Sequence, residues 1–158
     1  TISAPHMNAM MCEYLDLKKG NKVLEVGTGS GYHAALLAEI IGEKGRIFTI
    51  ERISNLAEKA SKIFNELGYS NIEVVVGDGS LGYQKEAPYD RILVTAACPN
   101  IIEELKNQLS KKQSKMCLPV GKSRFSQKLY VITRKDNNFK KNVVSNVVFV
   151  PLIGEKGF

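Results

Sequence analysis

Cysteine is scarce here: three residues, Cys12, Cys98 and Cys117, odd in number and far apart. No CxxC pair or His/Cys cluster accompanies them, which argues against a structural zinc or a disulfide framework and for reduced thiols in an intracellular protein. No apolar run approaches the roughly 20 residues that a membrane helix needs. There is no low-complexity tract and no repeat at a solenoid period. Nor is there a charged-then-apolar leader. The chain begins at Thr1, not Met, and reads as cut at its start. Its 158 residues fit one domain, long enough to bury roughly 70% of the unfolded surface. A cytoplasmic monomer, with no membrane and no metal, is the expectation.

Acidic residues are sparse in one region only. Residues 101–158 carry 12 Lys/Arg against 4 Asp/Glu, whereas residues 1–100 carry 10 against 12. Such asymmetry can mark a nucleic-acid surface. Here the lysines (Lys111, Lys112, Lys115, Lys140, Lys141) are scattered over turns and edges without interleaved aromatics, so a solvated face is expected and no nucleic-acid partner. A basic rim attracting carboxylate-bearing substrates fits the same charges.

What the chain does have is the stretch Lys22–Tyr32. A β-branched run (Val23, Leu24, Val26) enters a turn with glycine at Gly27, Gly29 and Gly31, and a helix-forming stretch, His33–Ile41, follows at once. A buried strand ending in a glycine turn that opens a helix is the nucleotide cradle of open α/β sheets. The dinucleotide fingerprint wants its third glycine where Tyr32 stands, which disfavours a nicotinamide oxidoreductase. Glu25 followed by glycines at alternate positions looks like motif I of the S-adenosylmethionine-dependent methyltransferases. The amino group and ribose of that donor welcome a carboxylate.

The remaining chain supports an α/β reading. Pro5 suits the first turn of a helix capped by Ser3 or Ala4, and Met7, Met10, Met11 and Tyr14 form its packing stripe. Arg46–Ile50 is a second strand ending at Glu51, 24 residues after Gly27 and close to the ~20 at which an acid meets ribose hydroxyls. A helix over Ile53–Leu67 with Ser54 at its cap follows, then a strand over Ile72–Val76 running into Gly77-Asp78-Gly79-Ser80. There Asp78 can accept from an adenine amino group. A fourth strand, Arg91–Thr95, is expected to face the transferred methyl. It lacks the Asn/Asp-Pro-Pro-aromatic signature of enzymes that methylate base amines. Cys98 beyond it reads as a small buried thiol, and His33 as a helix-start residue near the pocket mouth. A helix over Ile101–Leu109 and strands over Met116–Pro119, Lys128–Thr133 and Val143–Val150 complete an open, mostly parallel sheet with helices on both faces.

Several stretches together resemble the protein-L-isoaspartate (D-aspartate) O-methyltransferases, from the first residue to the last and in that family's order. They are Thr1-Ile-Ser-Ala-Pro-His-Met7, Val23–His33, Gly77-Asp-Gly-Ser-Leu-Gly-Tyr83, Ala87–Ala97, Leu118-Pro-Val-Gly121 and Val148–Gly157. The two ends carry the most specific matches. The resemblance implies a Rossmann-like fold, S-adenosyl-L-methionine as donor and S-adenosyl-L-homocysteine as product. It implies methylation of the stray carboxylate of L-isoaspartyl, and by the family's name D-aspartyl, residues in flexible protein segments. Ser3 matches the active-site serine. Thr1, Ile2, His6, Glu25, Gly27, Thr28, Gly29, Glu51, Arg52, Asp78, Gly79 and Thr95 fall at donor positions, and Val150, Pro151 and Leu152 border the acceptor groove. Two departures stand out. Lys111-Lys112-Gln113-Ser114 replaces a Gly-Gly-type turn and should be looser, and the family's further N-terminal segment is absent. The alternatives are a methyltransferase acting on RNA or a small molecule, and a binding module that keeps the cleft without turnover.

Overall fold

The structure is a computed structural model that describes residues 2–122 and 126–158. Thr1 lies outside the described residues. Helix α1 (Pro5–Leu15) starts from Ala4 with Pro5 in its first turn, where a missing N–H is harmless. Then come β1 (Lys22–Val26), α2 (Tyr32–Ile41), β2 (Arg46–Glu51), α3 (Ser54–Glu66) and β3 (Ile72–Val76). The second half contributes β4 (Arg91–Val94), α4 (Glu103–Asn107), β5 (Ser114–Val120), β6 (Gln127–Lys135) and β7 (Asn138–Val147).

Among the described residues seven strands form one sheet in the order β3-β2-β1-β4-β5-β6-β7. β1 to β5 are parallel, and β6 and β7 are antiparallel additions. The chain winds outward from β1 to β3, then returns to lay β4 on the other side of β1. That reversal leaves a crevice beyond the carboxyl ends of β1 and β4, where ligands bind in open α/β sheets. Strand alternation divides the core. Val23, Ile47 and Leu93 pack with α1, α2 and α3 on one face, while Leu24, Phe48 and Ile92 pack with α4, Tyr89 and Leu152 on the other. Met11 is fully buried and Met7 and Tyr14 pack beside it, so the stripe on α1 serves the core.

Several boundaries differ from the sequence expectation. The last strand covers Asn138–Val147 instead of Val143–Val150. Asp136 adopts φ 55, the left-handed geometry that a two-residue hairpin needs. Asn138–Asn142, largely polar, thereby pairs with β6, with Arg134 over the Phe139 ring and Lys141 over the Tyr130 ring, and Val148–Val150 is released toward the crevice. α4 spans five residues only, because Ile102 is still extended. Ser54 is the first helical residue of α3, the cap position falling to Ile53. The turn at Lys111–Ser114 is not loose. Gln113 takes the left-handed conformation, and Ser114 Oγ donates to the Ser110 carbonyl at 2.5 Å.

Candidate active site

The turn after β1 is shaped by what presses on it. Gly27 sits at φ 97, and a Cβ there would collide with Thr95 Oγ1. Thr95, just past β4, donates from that hydroxyl to the Val26 and Gly27 carbonyls at 2.9 and 2.8 Å. Position and glycine are therefore linked: the second switch-point strand buttresses the turn of the first, and a side chain would break the contact.

Beyond the turn lies a cleft of about 490 Å³. Its floor is Val26–Ser30 with Thr95 and Ala96; one wall is Glu51–Ile53 with Leu56, and Gly79 closes that side. The opposite lip comes from both termini: Ile2, Ser3, Ala4 and Asn8 from the start, Val148–Ile153 from the tail. The tail is fixed to β4's exit, since Ala97 N donates to the Val150 carbonyl and Leu152 N to the Ala97 carbonyl, both at 2.8 Å.

Ile2, Ser3, Gly27, Thr28, Gly29, Glu51, Arg52, Gly79, Thr95, Val150, Pro151 and Leu152 all line this cleft. Glu51 is nearly buried, with Oε2 accepting from Gly29 N and Oε1 from Ile53 N, each at 3.0 Å. These two bonds leave lone pairs free.

Three expected residues stand elsewhere. His6 is exposed on α1 and outside the cleft wall. Glu25 lies behind the turn, fully buried against the helix-covered face. Its Oε2 accepts from Thr49 Oγ1, its cross-strand partner, at 2.5 Å, and Thr49 Oγ1 meets Thr28 Oγ1 at 2.7 Å. Oε1 has no partner. Burial, with nearby Glu51 adding to it and the Thr49 bond opposing, pushes the Glu25 carboxyl up to about 8. The fold thus favours its protonated form, and the side chain is not among those lining the cleft. Asp78 is not among the lining residues either; its carboxylate accepts from the Ser80 amide and hydroxyl and from Glu155 N. Burial raises its pKa, but the bonds from Ser80 and Glu155 and the charge of Arg52 outweigh it, leaving the group below the usual carboxylate range.

The cleft also holds Asn8, which no motif marked, and His33, expected near the pocket mouth. Asn8 is buried, its Oδ1 without a partner among the described residues, while its Nδ2 donates to the Ser3 carbonyl at 3.3 Å. His33 lines the floor with Nε2 3.4 Å from Cys12 Sγ. Burial, against a hydrogen bond to the Asn8 backbone, brings its imidazole down to about 4, so it is neutral at physiological pH. Apolar Tyr32, Ile53, Val148 and Ile153 form a partly exposed rim. Cys98 is wholly buried and pushed up to about 12 by that burial, which disqualifies it as a nucleophile.

A strand-end glycine turn, a carboxylate at the next strand end and a lip built from both termini are the arrangement that the end motifs imply. Residues 1–157 match the family model for protein-L-isoaspartate(D-aspartate) O-methyltransferase. The chain belongs to that family. It is 56% identical over 159 residues to protein-L-isoaspartate O-methyltransferase 2 of Archaeoglobus fulgidus, covering 100% of this chain and 71% of that protein. It is 51% identical over 158 residues to the Methanococcus aeolicus protein-L-isoaspartate O-methyltransferase, covering 100% and 72%. A solved protein-L-isoaspartate O-methyltransferase superposes with a TM-score of 0.90 at 30% identity, over 99% of this chain and 49% of that one. The chain thus spans about half of that solved protein. A Thermotoga maritima S-adenosylmethionine-dependent O-methyltransferase, with a TM-score of 0.67 at 17% identity over 94% of this chain and 64% of that one, shares the fold. The fold is accordingly that of an S-adenosylmethionine-dependent methyltransferase. Among the described residues no helix is long and apolar enough to cross a membrane.

Proposed function

We propose that residues 1–158 act as a methyltransferase domain transferring a methyl group from S-adenosyl-L-methionine to the free carboxylate of L-isoaspartyl residues in flexible protein segments and peptides. S-adenosyl-L-homocysteine is the product. The observation that carries the reading is that Ser3 and Val150–Leu152, from opposite ends of the chain, meet at one cleft with the glycine turn.

The residues present fit the donor. The bare backbone at Gly27–Gly29 admits close approach, Glu51 retains acceptor capacity for vicinal hydroxyls, and Ile53 and Leu56 offer an apolar wall to a flat ring. When bound, the donor supplies an electrophilic methyl on a sulfonium. The acceptor carboxylate, with a pKa near 4, is already ionised at neutral pH, so the chain needs neither a general base nor a metal. What it must provide is placement of oxygen in line with the methyl. Ser3, half-buried on the lip, orients the isoaspartyl carboxylate or the adjoining backbone and is not itself alkylated. Val150, Pro151 and Leu152 border the peptide.

The test offers labelled S-adenosylmethionine with matched isoaspartyl and aspartyl peptides and with tRNA. Label on the isoaspartyl peptide alone is expected. Equal transfer to the aspartyl peptide, or transfer to tRNA, would overturn the reading.

A further inference from the structure

The glycine turn after β1 has little of its own to hold its shape. Gly27, Gly29 and Gly31 take φ 97, 54 and 83, and residues without a Cβ leave the backbone free to move. Ser30 is exposed, so within Gly27–Gly31 the one buried side chain is that of Thr28, 4% exposed. What fixes Thr28 therefore fixes the turn.

The anchor comes from β2. Thr28 Oγ1 meets Thr49 Oγ1 at 2.7 Å, and Thr49 Oγ1 donates to Glu25 Oε2 at 2.5 Å. A hydroxyl has one proton to give. Thr49 gives its own to Glu25, so it accepts from Thr28, and the three groups form a directed chain. All three are buried, where a hydrogen bond is stronger than in water.

The two residues after Thr49 hold the same turn by other atoms. The Ile50 carbonyl accepts from the Gly27 and Thr28 amides at 2.8 and 3.2 Å, and Glu51 Oε2 accepts from Gly29 N at 3.0 Å. Thr49 alone of the three does not line the cleft, whereas Thr28 does. Its hold on the site is thus exerted through Thr28.

We infer that Thr49 is a positioning residue for the donor: its hydroxyl locks Thr28 and so fixes the backbone of Gly27–Gly29 in the geometry that receives S-adenosylmethionine. This rests on the functional reading above. Without that hydroxyl, Thr28 Oγ1 and Glu25 Oε2 each lose a buried partner. The turn then keeps its shape only through Ile50 and Glu51.

The experiment compares wild type with Thr49→Val, Thr49→Ser, Thr28→Val and the double variant Thr28→Val/Thr49→Val. S-adenosylhomocysteine Kd and stoichiometry are measured by calorimetry, Gly29 amide exchange on the unliganded chain, and kcat on the isoaspartyl peptide at saturating donor. Thr49→Val and Thr28→Val should each raise Kd roughly five- to thirtyfold, the range for a buried hydrogen bond lost. Stoichiometry should hold, which separates a reshaped turn from an unfolded fraction that would lower the number of sites. The Gly29 amide should exchange faster, kcat of Thr49→Val should stay within about twofold, and Thr49→Ser, which keeps the hydroxyl, should restore Kd to within about threefold. The double variant should bind no more weakly than the weaker single one, because both remove the same interaction. An unchanged Kd in either single variant, no restoration by Thr49→Ser, or penalties that add in the double variant overturns the positioning role and leaves the functional reading standing. A wild-type chain that binds no S-adenosylhomocysteine fells that reading and the positioning role with it.

Discussion

Replacing Glu25 with Gln should make the protein more stable at neutral and alkaline pH, although Glu25 belongs to the motif that identifies the donor site. The carboxyl is fully buried, with one oxygen unpartnered among the described residues, and burial raises its pKa from 4.5 to about 8. The fold therefore favours the protonated form. The stability it contributes is complete below the unfolded pKa and is lost as pH rises through the folded one. Between those limits the native state binds a proton that the unfolded chain has released, and stability falls by about 1.4 kcal/mol per pH unit. By pH 7 the accumulated loss is about 3 kcal/mol, an order-of-magnitude figure. Glutamine keeps an acceptor for Thr49 and carries no charge. The check is urea denaturation of both proteins at several values between pH 5 and 8.5, taking the difference in unfolding free energy so that other titrations cancel. That difference should grow in favour of Glu25→Gln up to about pH 8 and then level off. A difference flat with pH would show that Glu25 is ionised in the native state and that its placement behind the turn is mistaken.

Other outcomes are expected. Ser3→Ala should depress turnover strongly while leaving S-adenosylhomocysteine affinity nearly intact, by calorimetry alongside peptide assays; unaltered turnover would remove Ser3 from the chemistry. Glu51→Ala should weaken donor binding by about 1.5–3 kcal/mol, the worth of a charged hydrogen bond, and normal affinity would take Glu51 out of the site. His33, whose imidazole is brought from 6.5 down to about 4 by burial, gives the opposite pH sign to Glu25. Its neutral form is favoured in the fold, so stability is complete above about 6.5 and lost as pH falls toward 4, at about 1.4 kcal/mol per unit. His33→Gln should abolish that acid-side loss in the same denaturation series, and an unchanged acid limb would count against the buried, neutral imidazole.

The identity of the fold and of the cleft was readable in the chain because both depend on local order. Glycines at alternate positions after a β-branched run, and strands alternating with helices, dictate a switch-point sheet whatever the details of packing. Glu51 was placed by spacing alone, since a strand end and the next strand end are brought together by the parallel register itself. The two terminal motifs named the family, and with it the acceptor.

Other features depended on which way a side chain faces and what competes for it. Glu25 sits at the expected place along β1, yet alternation turns it toward the helix-covered face, where Thr49 from β2 takes its oxygen. Asp78 stands at the expected strand end, but a tail 77 residues further on claims its carboxylate. β7 begins earlier than its apolar run because backbone pairing in a hairpin needs no apolar side chains, and that shift frees Val148–Val150 to reach the cleft. Asn8 and His33 enter the site because the starts of α1 and α2 meet there, with Cys12 Sγ 3.4 Å from His33 Nε2. The sequence by itself determined the fold, the donor class and the family. Only the tertiary structure decided which acids line the cleft and what holds the tail beside it, because side-chain direction and long-range hydrogen bonds exist only once the chain is folded.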